Sequence, residues 1–253
     1  MLVPVRDAAT HLDPFIEAIS GLDLPAEKIK LVFCEGDSTD DTREKLRAMA
    51  PDLRQRFRDV VLLDKEVGTR FAHDHRSDKK LQRARRAGLA VVRNHLIDHG
   101  LDETDDWALW IDVDVWRFPS DIFARLRSAD ARIVVPNCTK VAGGPTFDMN
   151  SFVSDWRYPD HIYYRHIYGG LFQPPKGANQ LYLADLRHSE RVELDGVGGT
   201  TLLVDASLHR AGLRFPEIPY KDLIETEGFG LLARDLGVRA VGLPRVEVLH
   251  VPY

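Results

Sequence analysis

The run from Trp107 to Phe118 reads Trp-Ala-Leu-Trp-Ile-Asp-Val-Asp-Val-Trp-Arg-Phe, apolar up to Ile111 and then broken by two carboxylates one residue apart. A strand without polar alternation must be covered on both faces, which selects a sheet with helices packed above and below it. In open sheets of this kind ligands bind beyond the carboxyl ends of the strands, where Asp112 and Asp114 stand. Residues two apart on a strand share a side, so both carboxylates can face one ligand. Paired ionised oxygens suit a hard divalent cation, which can in turn hold phosphate oxygens. An ordinary acidic turn after a buried strand has the same local sequence, so the rest of the chain must decide.

The first half alternates strand and helix signals. Strands are expected at Leu2–Val5, Ile29–Cys34, Val60–Leu63, Trp107–Ile111 and Arg132–Val135. Between them, helices are expected at His11–Ser20, with Pro14 early where a first turn tolerates it, at Asp40–Ala50, at Asp78–Asp98 and at Pro119–Arg127. This order implies an α/β fold with a mostly parallel central sheet flanked by helices. The second half differs. Asp155–Arg187 has little periodicity but many Tyr, His, Pro and Gly residues, the pattern of a functional loop or lid. A glycine-rich turn at Gly196, Gly198 and Gly199 follows, then a strand at Thr201–Val204 and a helix at Ile224–Leu236. Strand signals at Val238–Val241 and Val246–His250 close the chain. No repeat or flexible linker divides it, so residues 1–253 read as a single domain.

The 253 residues carry a formal net charge of -5, which argues against a general nucleic-acid binder. Cys34 and Cys138 each lie in an apolar run and read as buried thiols of a reducing compartment. No stretch approaches the roughly 18–20 apolar residues needed to span a bilayer, and no signal-peptide layout is present. The expectation is a soluble, cytoplasmic chain without a transmembrane segment, with peripheral membrane association left open.

Several constellations carry chemistry. The first strand runs through Pro4 to Arg6-Asp7, and the second ends Glu35-Gly36-Asp37-Ser38-Thr39, so two polar loops meet at one sheet edge, the expected nucleotide crevice. Arg6 suits a phosphate. Asp37 suits a base or ribose, and Asp37 and Ser38 can also cap the next helix, two roles that can hold together. Lys79, Arg83, Arg86 and Arg93 form one stripe on the long helix, continued by Asn94. Lys79 reads as solvated, whereas Arg93 suits a diphosphate or the acidic site. Glu225-Thr226-Glu227 opens a helix, where acids favour the positive helix end, or orient or deprotonate a sugar hydroxyl at a pocket rim. An imidazole from His250 beside the two aspartates would complete a facial set for a transition metal such as manganese.

These segments, in this order, resemble the nucleotide-sugar glycosyltransferases of the GT-A fold. More closely, they resemble the fungal mannan-polymerase α-mannosyltransferases of glycosyltransferase family 62. The match is carried by Pro4–Ala9, Asp37–Thr42, Arg83–Arg86 with Val92-Arg93-Asn94, Asp106–Asp114, Val135-Pro136-Asn137, Phe147–Ser151, Asp195–Thr200, Glu225–Phe229 and Val248-Leu249-His250. The resemblance implies GDP-mannose as donor, Mn2+ (or Mg2+) as cofactor, retention of the α-configuration, and a glycan or other hydroxyl acceptor. It makes Asp112, Asp114 and His250 the metal ligands and places Glu227 beside the acceptor, with Asp112, Asp114 and Glu227 the catalytic set. Pro4, Arg6, Asp37, Arg86, Arg93 and Asp112 become the donor-binding set. A donor half at 1–137 and an acceptor half at 138–253 are expected. Sugar faces pack well on aromatic rings, so Trp156, Tyr158, Tyr163, Tyr164 and Tyr168 either shape acceptor recognition or serve loop packing. An oligomer or a complex with other glycosyltransferases is a further expectation. Val113 replaces the alanine common in the family's aspartate motif, a change that leaves coordination unaffected. The fungal enzymes carry a membrane anchor and act in the Golgi lumen; this chain shows no anchor and reads as a bacterial-type or truncated relative.

Two rival readings remain. Asp112-Val113-Asp114-Val115 imitates the nucleophile motif of haloacid-dehalogenase-type phosphatases, but the acidic motif that should follow has its nearest counterpart upstream, at Gly36-Asp37. The other rival is a non-catalytic glycosyltransferase-like scaffold subunit.

Overall fold

The computed structural model describes residues 1–68, 79–154, 159–173 and 180–251. Its strands are β1 (Leu2–Val5), β2 (Lys30–Glu35), β3 (Asp59–Asp64), β4 (Trp107–Ile111), β5 (Val115–Arg117), β6 (Ile133–Thr139), β7 (Phe152–Ser154), β8 (Ile167–Tyr168), β9 (Leu171–Phe172), β10 (Gln180–Tyr182), β11 (Val192–Glu193), β12 (Thr201–Asp205) and β13 (Ala240–His250). The α-helices are α1 (Leu12–Ser20), α2 (Thr42–Arg56), α3 (Lys79–Gly100), α4 (Ile122–Arg127), α5 (Asp160–Tyr163), α6 (Ala206–Arg210) and α7 (Glu225–Asp235). The main sheet has the order β11-β13-β6-β12-β4-β1-β2-β3, with β5 paired to β13.

Alternation along the strands builds two hydrophobic layers. Val3, Leu31, Phe33, Leu109, Ile111 and Leu203 join one, against α1, α2 and α4. Leu2, Val32, Cys34, Ala108, Trp110, Leu202 and Val204 join the other, against α3, α6 and α7. A period of two on strands whose faces are both apolar requires this double coverage. Both cysteines are buried thiols.

The sheet is mixed. β1, β2, β3 and β4 are parallel, and β6 and β13 are parallel to each other. β12 runs antiparallel between β4 and β6. The carboxyl ends of β1, β2, β4, β6 and β13 therefore share one edge with the amino end of β12. There the Asp112 N–H donates to the Thr200 carbonyl at 2.9 Å.

Two elements outrun the sequence expectation. α2 continues through Pro51 to Arg56. The cost of an interior proline, ~3 kcal/mol, is offset by burying Leu53 and Phe57, each worth roughly 1.5–3 kcal/mol. The two C-terminal strand signals form one strand, β13, because its pairing with β6 resumes after a register shift between Leu243 and Glu247, around Pro244.

The irregular 155–187 region holds short elements. β8 and β9 form a two-stranded pair, and β7 pairs with β10. Phe152, Phe172, Leu223 and Leu231 make a satellite core on which Tyr163 packs, its ring stacked on Phe172 at 4.6 Å. Tyr164 meets Tyr163 edge-on, and Tyr168 is exposed. Trp156, Tyr158 and the Lys79 side chain lie outside the described residues.

Candidate active site

A cavity of about 490 Å3 opens at the shared strand edge. Pro4, Arg6, Asp37, Arg86, Arg93, Asp112, Asp114 and His250 all line it, joined by Asp148, Thr200 and Glu225. Glu227 does not line it. That carboxylate is buried and accepts the Phe172 N–H at 2.9 Å, so it faces the β8–β9 pair.

The β1 and β2 loops are pinned to each other. The Asp7 N–H donates to the Ser38 hydroxyl at 3.0 Å, and the Thr39 N–H donates to Asp7 at 2.8 Å. Asp37 sits in left-handed backbone, φ 59°, and accepts the N–H groups of Val67 at 3.0 Å and Gly68 at 3.1 Å. Neither Asp37 nor Ser38 therefore caps α2: Asp37 is engaged by the chain just after β3, the Ser38 hydroxyl accepts the Asp7 N–H, and Asp40 caps the helix by accepting the Thr42 N–H at 3.1 Å.

Alternation carries Trp110 and then Asp112 to the α3 face of β4, where Arg93 meets both. The Arg93 guanidinium carbon lies 5.4 Å from the Trp110 ring centroid and 5.3 Å from that of Phe215. Its Nε donates to Glu225 at 3.0 Å, and Nη2 donates to the Gly199 carbonyl at 3.1 Å and to Asp112 at 3.4 Å. Arg93 is 1% exposed, so of the two roles the sequence left open the structure places it among the carboxylates. Gly199 permits this approach, since a Cβ there would lie 2.7 Å from Nη2. Trp110 is fixed in turn: its Nε1–H donates to His209 Nε2 at 3.1 Å, while His209 Nδ1 meets the Leu213 carbonyl at 2.8 Å. Burial pushes His209 down to about 4, keeping the ring neutral. Asn94 pins Phe215 through that residue's N–H and carbonyl, a structural duty.

The α3 stripe thus runs from solvent to core. Arg83 is exposed, Arg86 is largely covered and donates to Glu225 at 3.2 Å, and Arg93 is sealed. Opposite them, Asp114 Oδ2 lies 3.1 Å from His250 Nε2, and His250 Nδ1 meets the Val251 carbonyl at 2.8 Å. Burial disfavours the imidazolium, but the hydrogen bond and charge of Asp114 outweigh it and raise His250 above its usual value. Phe147 packs on the imidazole at 4.2 Å. Burial also raises Asp112; Arg93 opposes the rise, and Asp114, Asp148 and Glu225 add to it. Asp148 is held by the Thr200 N–H at 3.1 Å and hydroxyl at 2.6 Å. Among the described residues no three His, Cys, Asp or Glu side chains already form a metal-binding group.

Burial raises Glu227 to about 7; the Phe172 N–H and Arg86 oppose the rise, while Glu225 and Asp148 reinforce it. The folded value exceeds the ordinary value of 4.5, so the stability linked to its protonation is complete below pH 4.5 and lost as pH rises through 7. Glu227→Gln removes that loss. Its stability relative to the unsubstituted protein is expected to climb by about 3 kcal/mol between pH 4.5 and 8. Urea unfolding across this range reads the difference; a flat one sinks the assignment.

A parallel half-sheet followed by an antiparallel strand, with helices on both faces, is the arrangement of the GT-A fold of glycosyltransferases. Solved structures agree. The chain superposes on a mannosyltransferase of Pyrobaculum calidifontis in complex with GDP-Man and Mn2+ with TM-score 0.56 and 16% identity, over 99% of this chain and 56% of that one. GalNAc-T7 with UDP, GalNAc and Mn2+ gives TM-score 0.63 at 10% identity, over 99% and 43%.

The chain belongs to the Anp1 family, glycosyltransferase family 62, whose model matches residues 1–161 and 176–219. It is 30% identical to the mannan polymerase II complex anp1 subunit of Schizosaccharomyces pombe, covering 98% of this chain and 62% of that protein. Against the ANP1 subunit of Saccharomyces cerevisiae it is 28% identical, covering 98% and 54%. The chain therefore spans about half to six-tenths of the length of these relatives. Among the described residues no helix is long and apolar enough to cross a membrane.

Sequence reasoning missed Asp148 and Glu225. Asp148 lies in an irregular loop where no periodicity marks a site. Glu225 shares a motif with Glu227, and helical spacing alone does not tell which acid faces the cavity.

Proposed function

We propose that this chain is a metal-dependent mannosyltransferase that uses GDP-mannose and transfers the sugar with retention to a glycan or other hydroxyl acceptor. The observation that carries the reading is the convergence at one strand edge of Asp112, Asp114 and His250 with Arg6 and Arg86, in a cavity of about 490 Å3. Ligand cavities span roughly 300–1,000 Å3.

The donor set fits Mn2+ or Mg2+. Asp112 and Asp114 offer hard oxygens, and the Val251 carbonyl orients the His250 ring as second partners orient metal-binding imidazoles. A carboxylate crowd that raises Asp112 gains from a cation, and substrate phosphates complete such sites where protein supplies few ligands. When bound, the ion would neutralise the departing diphosphate. Arg86 and Arg6 line the phosphate side and share that charge. Asp37 and Pro4 border the nucleoside end. Glu227 acts on the acceptor side by holding Phe172 rather than by taking a proton. The relatives' membership of mannan polymerase complexes supports association with other glycosyltransferases.

A thermal-shift screen of nucleotide sugars with and without Mn2+ tests the reading. GDP-mannose with Mn2+ at about 100 times its Kd is expected to stabilise the protein by about 2.7 kcal/mol. Stabilisation by UDP-sugars alone would overturn the donor. GDP-mannose binding without Mn2+-dependent transfer or hydrolysis would favour the scaffold reading.

A further inference from the structure

The turn into α7 holds left-handed backbone at three non-glycine residues, Lys221 (φ 46°), Asp222 (φ 67°) and Glu225 (φ 53°). Such conformations cost free energy and persist where the surrounding structure determines them. An acid needed only to complement the helix end would be exposed and would not require this backbone. Glu225 is 3% exposed, and both its oxygens are engaged. Oε1 accepts Arg93 Nε at 3.0 Å; Oε2 accepts Arg86 Nη1 at 3.2 Å and the Thr226 hydroxyl at 3.1 Å.

Arg93 is thereby shared between two carboxylates, closer to Glu225 at 3.0 Å than to Asp112 at 3.4 Å. The cage of Trp110, Phe215 and the Gly199 carbonyl confines its guanidinium. A guanidinium deprived of Glu225 has one remaining carboxylate to satisfy, and its attraction for Asp112 opposes any other cation there. We propose that Glu225 is a positioning residue. It holds Arg93 back from Asp112, so that Asp112 with Asp114 stays available to a divalent cation, and it fixes Arg86 at the cavity wall with its other oxygen. The proposal rests on the reading of the strand edge as a metal-dependent site.

The test is direct binding of Mn2+ alone, followed by the loss of the free-ion electron paramagnetic resonance signal. Glu225→Gln, which keeps shape and removes charge, is expected to weaken Mn2+ binding about tenfold. Arg83→Gln, at an exposed residue of the same α3 stripe outside the cavity lining, leaves the charge of Glu225 on Arg93 and is expected to leave Mn2+ affinity unchanged. Equal affinity in Glu225→Gln and the unsubstituted protein overturns the proposal, as does an equal loss in both variants. If Glu225→Gln does not fold, Glu225→Asp keeps the charge but shortens the reach to Arg93. It is expected to weaken Mn2+ binding in the same direction, and an unchanged value overturns the proposal. Absence of Mn2+ binding in the unsubstituted protein removes the metal reading itself, a failure visible without any variant.

Discussion

Asp112→Asn is expected to lower Mn2+-dependent transfer from GDP-mannose by about 10²–10³-fold, the loss typical when one preorganised charge-stabilising group is removed. The fold should not suffer. Arg93 keeps Glu225 at 3.0 Å and the Gly199 carbonyl at 3.1 Å, and the substitution removes a charge that burial and neighbouring acids already disfavour. The melting temperature should equal or exceed that of the unsubstituted protein, as where an active site retains groups that destabilise it. Steady-state rates over a Mn2+ titration, paired with thermal unfolding, separate the two effects. Unreduced turnover at saturating Mn2+ would remove Asp112 from the site.

The opposite balance is expected at Arg93. Replacing it with Met keeps much of the volume between Trp110 and Phe215 but leaves Glu225 short of one partner and Asp112 without its guanidinium. Breaking a buried ion network by removing one member costs about 3–5 kcal/mol. For a chain of this size that corresponds to a fall in Tm of roughly 10 °C. Arg93→Lys restores the charge but cannot reproduce the planar fork that reaches Glu225, Gly199 and Asp112 together, so it should recover only part of the loss. A Tm within about 2 °C of the unsubstituted protein for Arg93→Met would show the network to be energetically neutral, as some buried pairs are.

These two substitutions mark where local sequence and tertiary structure divide. The buried strand Trp107–Ile111 was legible residue for residue, because five apolar side chains in a row leave a strand no exposed face. So was the sharing of one edge by the Arg6, Asp37 and Asp112 loops, since parallel strands joined by helices put successive carboxyl ends together. The antiparallel course of β12 was not legible, because an apolar run has no direction. The span of α2 past Pro51 depended on a core that rewards burial of Leu53 and Phe57, which no local preference reveals.

The site divides along the same line. Sequence alone determined the chemical inventory at the strand edge: hard carboxylates at Asp112 and Asp114, basic groups at Arg6 and Arg86, and an imidazole at His250. Residue type and strand order suffice for that. Only the tertiary structure decided which charges meet. It gave Arg93 to Glu225 and Asp112, set His250 against Asp114, turned Glu225 toward the cavity and turned Glu227 away to Phe172. Electrostatic partnership depends on distances between residues far apart along the chain, up to the 132 positions that separate Arg93 from Glu225 among the Arg93 contacts. Those distances exist only once the sheet and its helices have packed.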